Sequence, residues 1–138
     1  MKKKILALAL SAAMLLSMVA CGSASSSKKA SKKLKVGLVT DVGGVNDGSF
    51  NQSAWEGLQK AGKDMDIDVS YLESKTDSDY APNIESFMDD DCDLIICVGY
   101  MLADATRSAA KANPDQKFAI IDDSSCKDLD NVTCLMFK

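Results

Sequence analysis

The stretch "KVGLVTDVGGVNDGSFNQSAWEGL", Lys35 to Leu58, changes its period halfway along. "KVGLVT", Lys35 to Thr40, is a short apolar run closed by turn formers, the pattern of a parallel strand buried on both faces. Beyond the turn, Ala54, Leu58, Ala61 and Met65 recur at i, i+4, i+7 and i+11, one face of a helix from about Phe50 to Met65. Ser49 and Gln52 have the spacing of a capping box, which starts that helix just past the glycines. Strand, polar turn and helix in this order open an α/β sheet.

The rest of the chain continues the alternation. "IDVSYLE", Ile67 to Glu73, alternates as a strand, and Tyr80, Ile84, Phe87 and Met88 form a second helical stripe. "DLIICVG", Asp93 to Gly99, reads as the central strand. Leu102, Ala105, Ala109 and Ala112 make a third helix, ended at Asn113 and Pro114 because proline cannot continue it. "KFAII", Lys117 to Ile121, and "NVTCLMF", Asn131 to Phe137, are the fourth and fifth strands. The fold expected is α/β, an open and mainly parallel sheet with helices on both faces. Ligands of such sheets bind outside the carboxyl ends of the strands, where three polar turns fall: Asp41 to Ser49, Gly99 to Tyr100, and Asp122 to Ser125.

The amino-terminal flank bears on location. "MKKKILALALSAAMLLSMVA", residues 1–20, has three lysines, an apolar run and a terminal small residue, the order of a secretory signal peptide. The apolar run would span about 24 Å as a helix, short of the roughly 30 Å of bilayer hydrocarbon. Cys21 follows directly, as the lipidation cysteine of a bacterial lipoprotein does; an unlipidated signal peptide with an incidental cysteine is the alternative. "GSASSSKKASKK", Gly22 to Lys33, has nothing to bury and reads as a tether of about 20 Å. Its lysines suit either an anionic membrane surface or a simple solubilising spacer. The organisation expected is a signal peptide over 1–20, a lipidated cysteine and tether over 21–33, and a folded unit over 34–138.

All 20 acidic residues but only 9 of the 16 basic ones lie in Leu34–Lys138, so that segment carries a net charge near −11. Such a surface repels nucleic acid. The chain has no histidine, the commonest general base and metal ligand. Cys92, Cys97, Cys126 and Cys134 follow neither a CxxC nor a zinc spacing, and Cys97 and Cys134 lie inside apolar runs, so buried free thiols are expected rather than a disulfide framework.

The opening turn carries the chemistry. Gly43 and Gly44 allow a tight bend, and the helix start offers free N–H groups. A phosphate loop fits poorly, because "DVGGVNDGS" is neither GxGxxG nor GxxxxGK and Asp41 and Asp47 would repel a phosphate. Carboxylates at strand ends suit donors such as ribose hydroxyls or purine N–H groups. Phe50 could lie against a flat base, or begin the core stripe with Ala54 and Leu58; spacing alone favours the core. Asp47 could equally approach the helix start, Asn46 form the turn, and Asp122 only open a polar loop.

"VGLVTDVGGVNDGSFNQSAWEGL", with "YAPNIE", "LIICVGYMLADAT" and "NPDQKFAIID", resembles the amino-terminal lobe of the basic membrane protein family, lipoproteins that serve as nucleoside-binding receptors of ABC importers. The resemblance implies one lobe of a type I periplasmic-binding-protein fold. It implies that Asp41, Asn46 and Asp47 line a cleft, that Phe50 stacks on the base with Asn51 beside it, and that Asp122 accepts hydrogen bonds from the ligand. Tyr100 stands where the family often has phenylalanine, adding a hydroxyl to the cleft wall. Family members have two lobes, and the resemblance ends after one, so a fragment, a truncated product or a half with a separately encoded partner is expected.

The function expected is therefore a non-catalytic, lipid-anchored receptor for purine-type nucleosides on the extracytoplasmic face of the cell membrane. Its partners are the nucleoside, the ABC transporter permease and the membrane, with no cofactor and no metal. The alternatives are a hydrolase using Asp41 and Asp47 with a divalent metal on ribose, or a lobe acting as a surface interaction protein. A receiver-type phosphoswitch is excluded because "IICVGY" puts no aspartate at the end of the third strand and the chain is exported.

Overall fold

Among the described residues five strands and three helices alternate: β1 Lys35–Thr40, α1 Phe50–Met65, β2 Asp68–Glu73, α2 Tyr80–Asp89, β3 Leu94–Val98, α3 Ala103–Ala112, β4 Lys117–Ile121 and β5 Val132–Leu135. Short 3-10 turns at Asp77–Asp79 and Tyr100–Leu102 lead into α2 and α3. The computed structural model describes residues 32–137. The expected signal peptide, Cys21 and the tether up to Ser31 lie outside the described residues. Lys32 and Lys33, expected to end the tether, instead pair with the folded unit, Lys32 with Asp93 and Lys33 with both Asp66 and Asp68.

The strands lie in the order β2-β1-β3-β4-β5, and every pairing is parallel. From β1 the chain moves outward to β2, and from β3 it moves the other way to β4. The point of reversal is thus between β1 and β3, and a crevice opens there beyond their carboxyl ends.

The two faces of the sheet are unequal. Val39, Ile95, Cys97, Phe118 and Ile120 meet Tyr80, Ile84 and Phe87 of α2 and Leu102 and Ala110 beside and within α3 in one large buried cluster. On the other face Val36, Leu38, Leu58 and Val98 form a small cluster under α1. Gly37 is required on the larger face, since a Cβ there would lie 2.5 Å from the ring of Phe87. Helix α2 therefore sits against bare β1 backbone.

Three local expectations are corrected. Ser49 makes no side-chain cap bond to α1, because the Asp47 carboxylate holds those amides instead. The α1 stripe fades after Leu58, and Met65 is exposed. A helix of 16 residues, about 24 Å long, overshoots strands of four to six residues. In α3 the buried positions are Thr106 and Ala110, in phase with Leu102, while Ala105 and Ala109 pack only partly and Ala112 is exposed. The 3-10 turn through Leu102 sets that phase, and a threonine inside it is invisible to an apolar count. Cys92, Cys97 and Cys126 are buried free thiols, and Cys134 is a half-buried one.

Candidate ligand-binding cleft

The turn after β1 is held by two carboxylates. Asp41 folds back on it, its Oδ1 accepting the Gly43 N–H at 2.8 Å. Glu73, at the end of β2 and in register with Thr40, accepts the Val45 N–H at 2.9 Å. Tyr80, at the start of α2, donates its hydroxyl to Asp77; burial and Asp77 push that phenol up to about 12. Gly44 has φ +67°, and a Cβ there would meet the Glu73 carboxylate at 2.7 Å, so a side chain would strain the backbone and displace that carboxylate.

Asp47 gathers the start of α1. Its two oxygens accept the N–H groups of Ser49, Asn51 and Gln52 at 2.8, 3.2 and 3.0 Å. Partial burial alone would raise this carboxyl. The amides of Gln52, Ser49 and Asn51, with the Asn51 side chain, outweigh burial and hold it below the ordinary aspartate value. Gln52 in turn accepts the Gly48 N–H at 3.1 Å.

Asn51 joins the two carboxylates. Its Nδ2 donates to Asp41 at 2.6 Å and to Asp47 at 3.0 Å, so the amide nitrogen is fixed on that side. The residue is 1% exposed, and its Oδ1 finds no hydrogen-bond partner among the described residues.

Phe50 is not core: it is 46% exposed, and its ring meets that of Phe137 edge-on, with centroids 5.5 Å apart. The two rings, with Ser49, Ser53, Ala54 and Ile121, enclose a cleft of about 410 Å³. Asp41 and Asp47 are not among its walls; they are linked to the first turn of α1 through Asn51.

The neighbouring strand ends complete the rim. The Gly99 N–H donates to Ile121 O at 2.9 Å, and a Cβ on Gly99 would lie 3.6 Å from Asp41, so the end of β3 runs close to that carboxylate. Tyr100, which follows, is 70% exposed. Asp122 follows β4 with φ +60°, an uncommon conformation for a non-glycine residue, and its N–H donates to Leu135 O at 2.8 Å. Asn46 is exposed within the turn. Asp41, Asp47 and Asn51 thus form one bonded unit next to Phe50, whereas Tyr100 and Asp122 belong to adjacent strand ends. Glu73 and Phe137 were not expected here; their signal is the strand order and the return of β5, which the local sequence pattern does not carry.

The set offers acceptors and flat apolar surface. Among the described residues no group of three or more His, Cys, Asp or Glu side chains is arranged to hold a metal ion.

A parallel sheet with such a crevice at its reversal point is the architecture of a solute-binding lobe. A solute-binding protein of an ABC transporter system from Aeropyrum pernix K1 matches it with a TM-score of 0.69 at 28% identity, over 75% of this chain and 28% of that one. The chain belongs to the Bmp family, described as ABC transporter substrate-binding protein PnrA-like, whose family model matches residues 34–138. The family is one of substrate-binding proteins, not of enzymes. Among its relatives, a CD4+ T-cell-stimulating antigen of Listeria innocua is 46% identical over 100% of this chain, and the ABC transporter nucleoside-binding protein BmpA of Lactococcus lactis is 41% identical over 99%. The chain spans 42% and 41% of the length of these two relatives.

Proposed function

We propose that this chain supplies the first wall of a nucleoside site in a substrate-binding protein of an ABC importer, that purine-type nucleosides are its ligands, and that lipid on Cys21 holds it on the extracytoplasmic face of the membrane. The observation that carries the reading is the exposed Phe50 ring on the cleft wall, one residue before the Asn51 that joins the Asp41 and Asp47 carboxylates. A purine offers a face for the ring and N–H groups for the acceptors. Ribose hydroxyls suit Asp122 and the Tyr100 hydroxyl, and Asn46 lies close enough in sequence to join them. The neutral ligand meets no phosphate-binding device, and the acidic surface disfavours a charged one.

Stacking on one aromatic is worth roughly 1–3 kcal/mol, and a hydrogen bond to a charged group about 1.5–3 kcal/mol. One ring and one such bond give a dissociation constant near the millimolar range. Titrating the Cys21→Ala chain with inosine, guanosine and adenosine should show binding of that order, lost in Phe50→Ala, with no free base released when magnesium or calcium is added. Binding indifferent to Phe50, or base release that requires Asp41 or Asp47, overturns the reading. For the anchor, the unsubstituted chain should fractionate with membranes and take up labelled fatty acid, and Cys21→Ala should do neither.

A further inference from the structure

The aromatic surface of the cleft comes from two unlike places. Phe50 stands on the first turn of α1, whereas Phe137 follows β5, which ends at Leu135. The end of β5 is tied to the end of β4 by the Asp122 N–H, which donates to Leu135 O at 2.8 Å. Past that bond Met136 and Phe137 show no hydrogen bond to the described residues, and both are exposed, Phe137 by 64%. The Phe137 ring nevertheless rests edge-on against Phe50, with 61° between the planes and 5.5 Å between the centroids.

That pairing leaves no room for a flat ligand between the rings. Non-bonded carbons sit best about 3.5–4.0 Å apart, so a base held between two rings needs them roughly 7–8 Å apart and near parallel. The pair is too close and too steeply crossed for that. It also uses ring surface of Phe50 that a stacked base would need. The rest of the lining is fixed differently: Ser49 caps α1, Ser53 and Ala54 lie within it, and Ile121 closes β4. Among the lining residues Phe137 is therefore the one that can leave without disturbing a helix or a strand.

We propose, resting on the reading of Phe50 as the stacking ring, that Phe137 is a displaceable plug: its ring pairs with Phe50 in the free protein, and a flat ligand binds by taking its place. Binding then breaks one aromatic pair before it makes another, and the affinity is reduced by the fraction of molecules that are plugged. An edge-on aromatic pair is worth about 2- to 13-fold in an equilibrium constant. Removing the Phe137 ring should therefore tighten binding by about that factor. An ordinary contact residue behaves in the opposite way, since its loss weakens binding.

The test titrates the Cys21→Ala chain, and the same chain carrying Phe137→Ala or Phe50→Ala, with inosine, using ring-labelled phenylalanine and nuclear magnetic resonance. The chain has four phenylalanines, and Phe87 and Phe118 are buried, so the single variants assign the two cleft rings. The free chain should show cross-relaxation between the Phe50 and Phe137 rings, and saturating inosine should remove it. Phe137→Ala should bind inosine about 2- to 13-fold more tightly, and Phe50→Ala should not bind it. Phe137→Ala that weakens binding or leaves it unchanged, while Phe50→Ala still abolishes it, overturns the plug and leaves the stacking reading standing. A ring contact that persists at saturation does the same. Binding indifferent to Phe50 overturns both.

Discussion

Asp47 does at one position what the sequence divides between two. The S-x-x-Q spacing at Ser49 points to a capping box, yet the carboxylate two residues earlier takes the amides of Ser49, Asn51 and Gln52. An aspartate accepts with two charged oxygens where a serine accepts with one neutral one, and the turn through Gly48, at φ +67°, swings it over the helix start. Asp47→Ala should therefore cost about 1–2 kcal/mol, while Ser49→Ala should stay within about 0.5 kcal/mol, both measured by urea unfolding followed through Trp55. The folded carboxyl lies below its ordinary value of 3.8, so this contribution is complete above that pH and is lost as pH falls through the lower folded value. The stability gap between the parent chain and Asp47→Ala should close in that acid window and be flat from pH 5 to 8. Phe50 shows the converse limit: its i, i+4 spacing to Ala54 is genuine, but its ring lies at the cleft against Phe137 and stays exposed.

At the scale of elements, type and extent were legible wherever the period was long. The α1 and β4 ranges, Phe50–Met65 and Lys117–Ile121, match those read from the sequence, because each is bounded by residues that cannot continue it. The α3 face was not legible, since an apolar count follows alanines and the helix buries Thr106. Nor was the reason for Gly37, which needs the knowledge that α2 crosses β1. Gly37→Ala drives a methyl into the Phe87 ring at van der Waals overlap and should cost about 1–3 kcal/mol. Thermal unfolding of the single variant and of Gly37→Ala with Phe87→Leu checks this; the second should recover part of the loss, because the smaller side chain vacates the contested space.

The whole molecule is a sheet with one thick core and one thin one. Its class followed from the alternation of strand and helix, but the strand order did not, because nothing local says that β3 returns to the inner side of β1. That order is what brings Glu73 to the opening turn and Gly99 to Asp41. The imbalance between the faces has a consequence for how the molecule breathes. Helix α1 is fastened by a cluster of four buried residues, whereas α2 and α3 share the larger one. Partial openings draw first on the least buried apolar surface, so α1 should detach as a unit below the free energy of global unfolding and take Phe50 and Asn51 with it. Native-state amide exchange should then show α1 protons escaping through a lower-energy opening than those of β1, β3 and β4. A bound nucleoside would register as slower exchange along α1, several turns from the nearest ligand atom, while the opposite face of the sheet keeps its own rhythm.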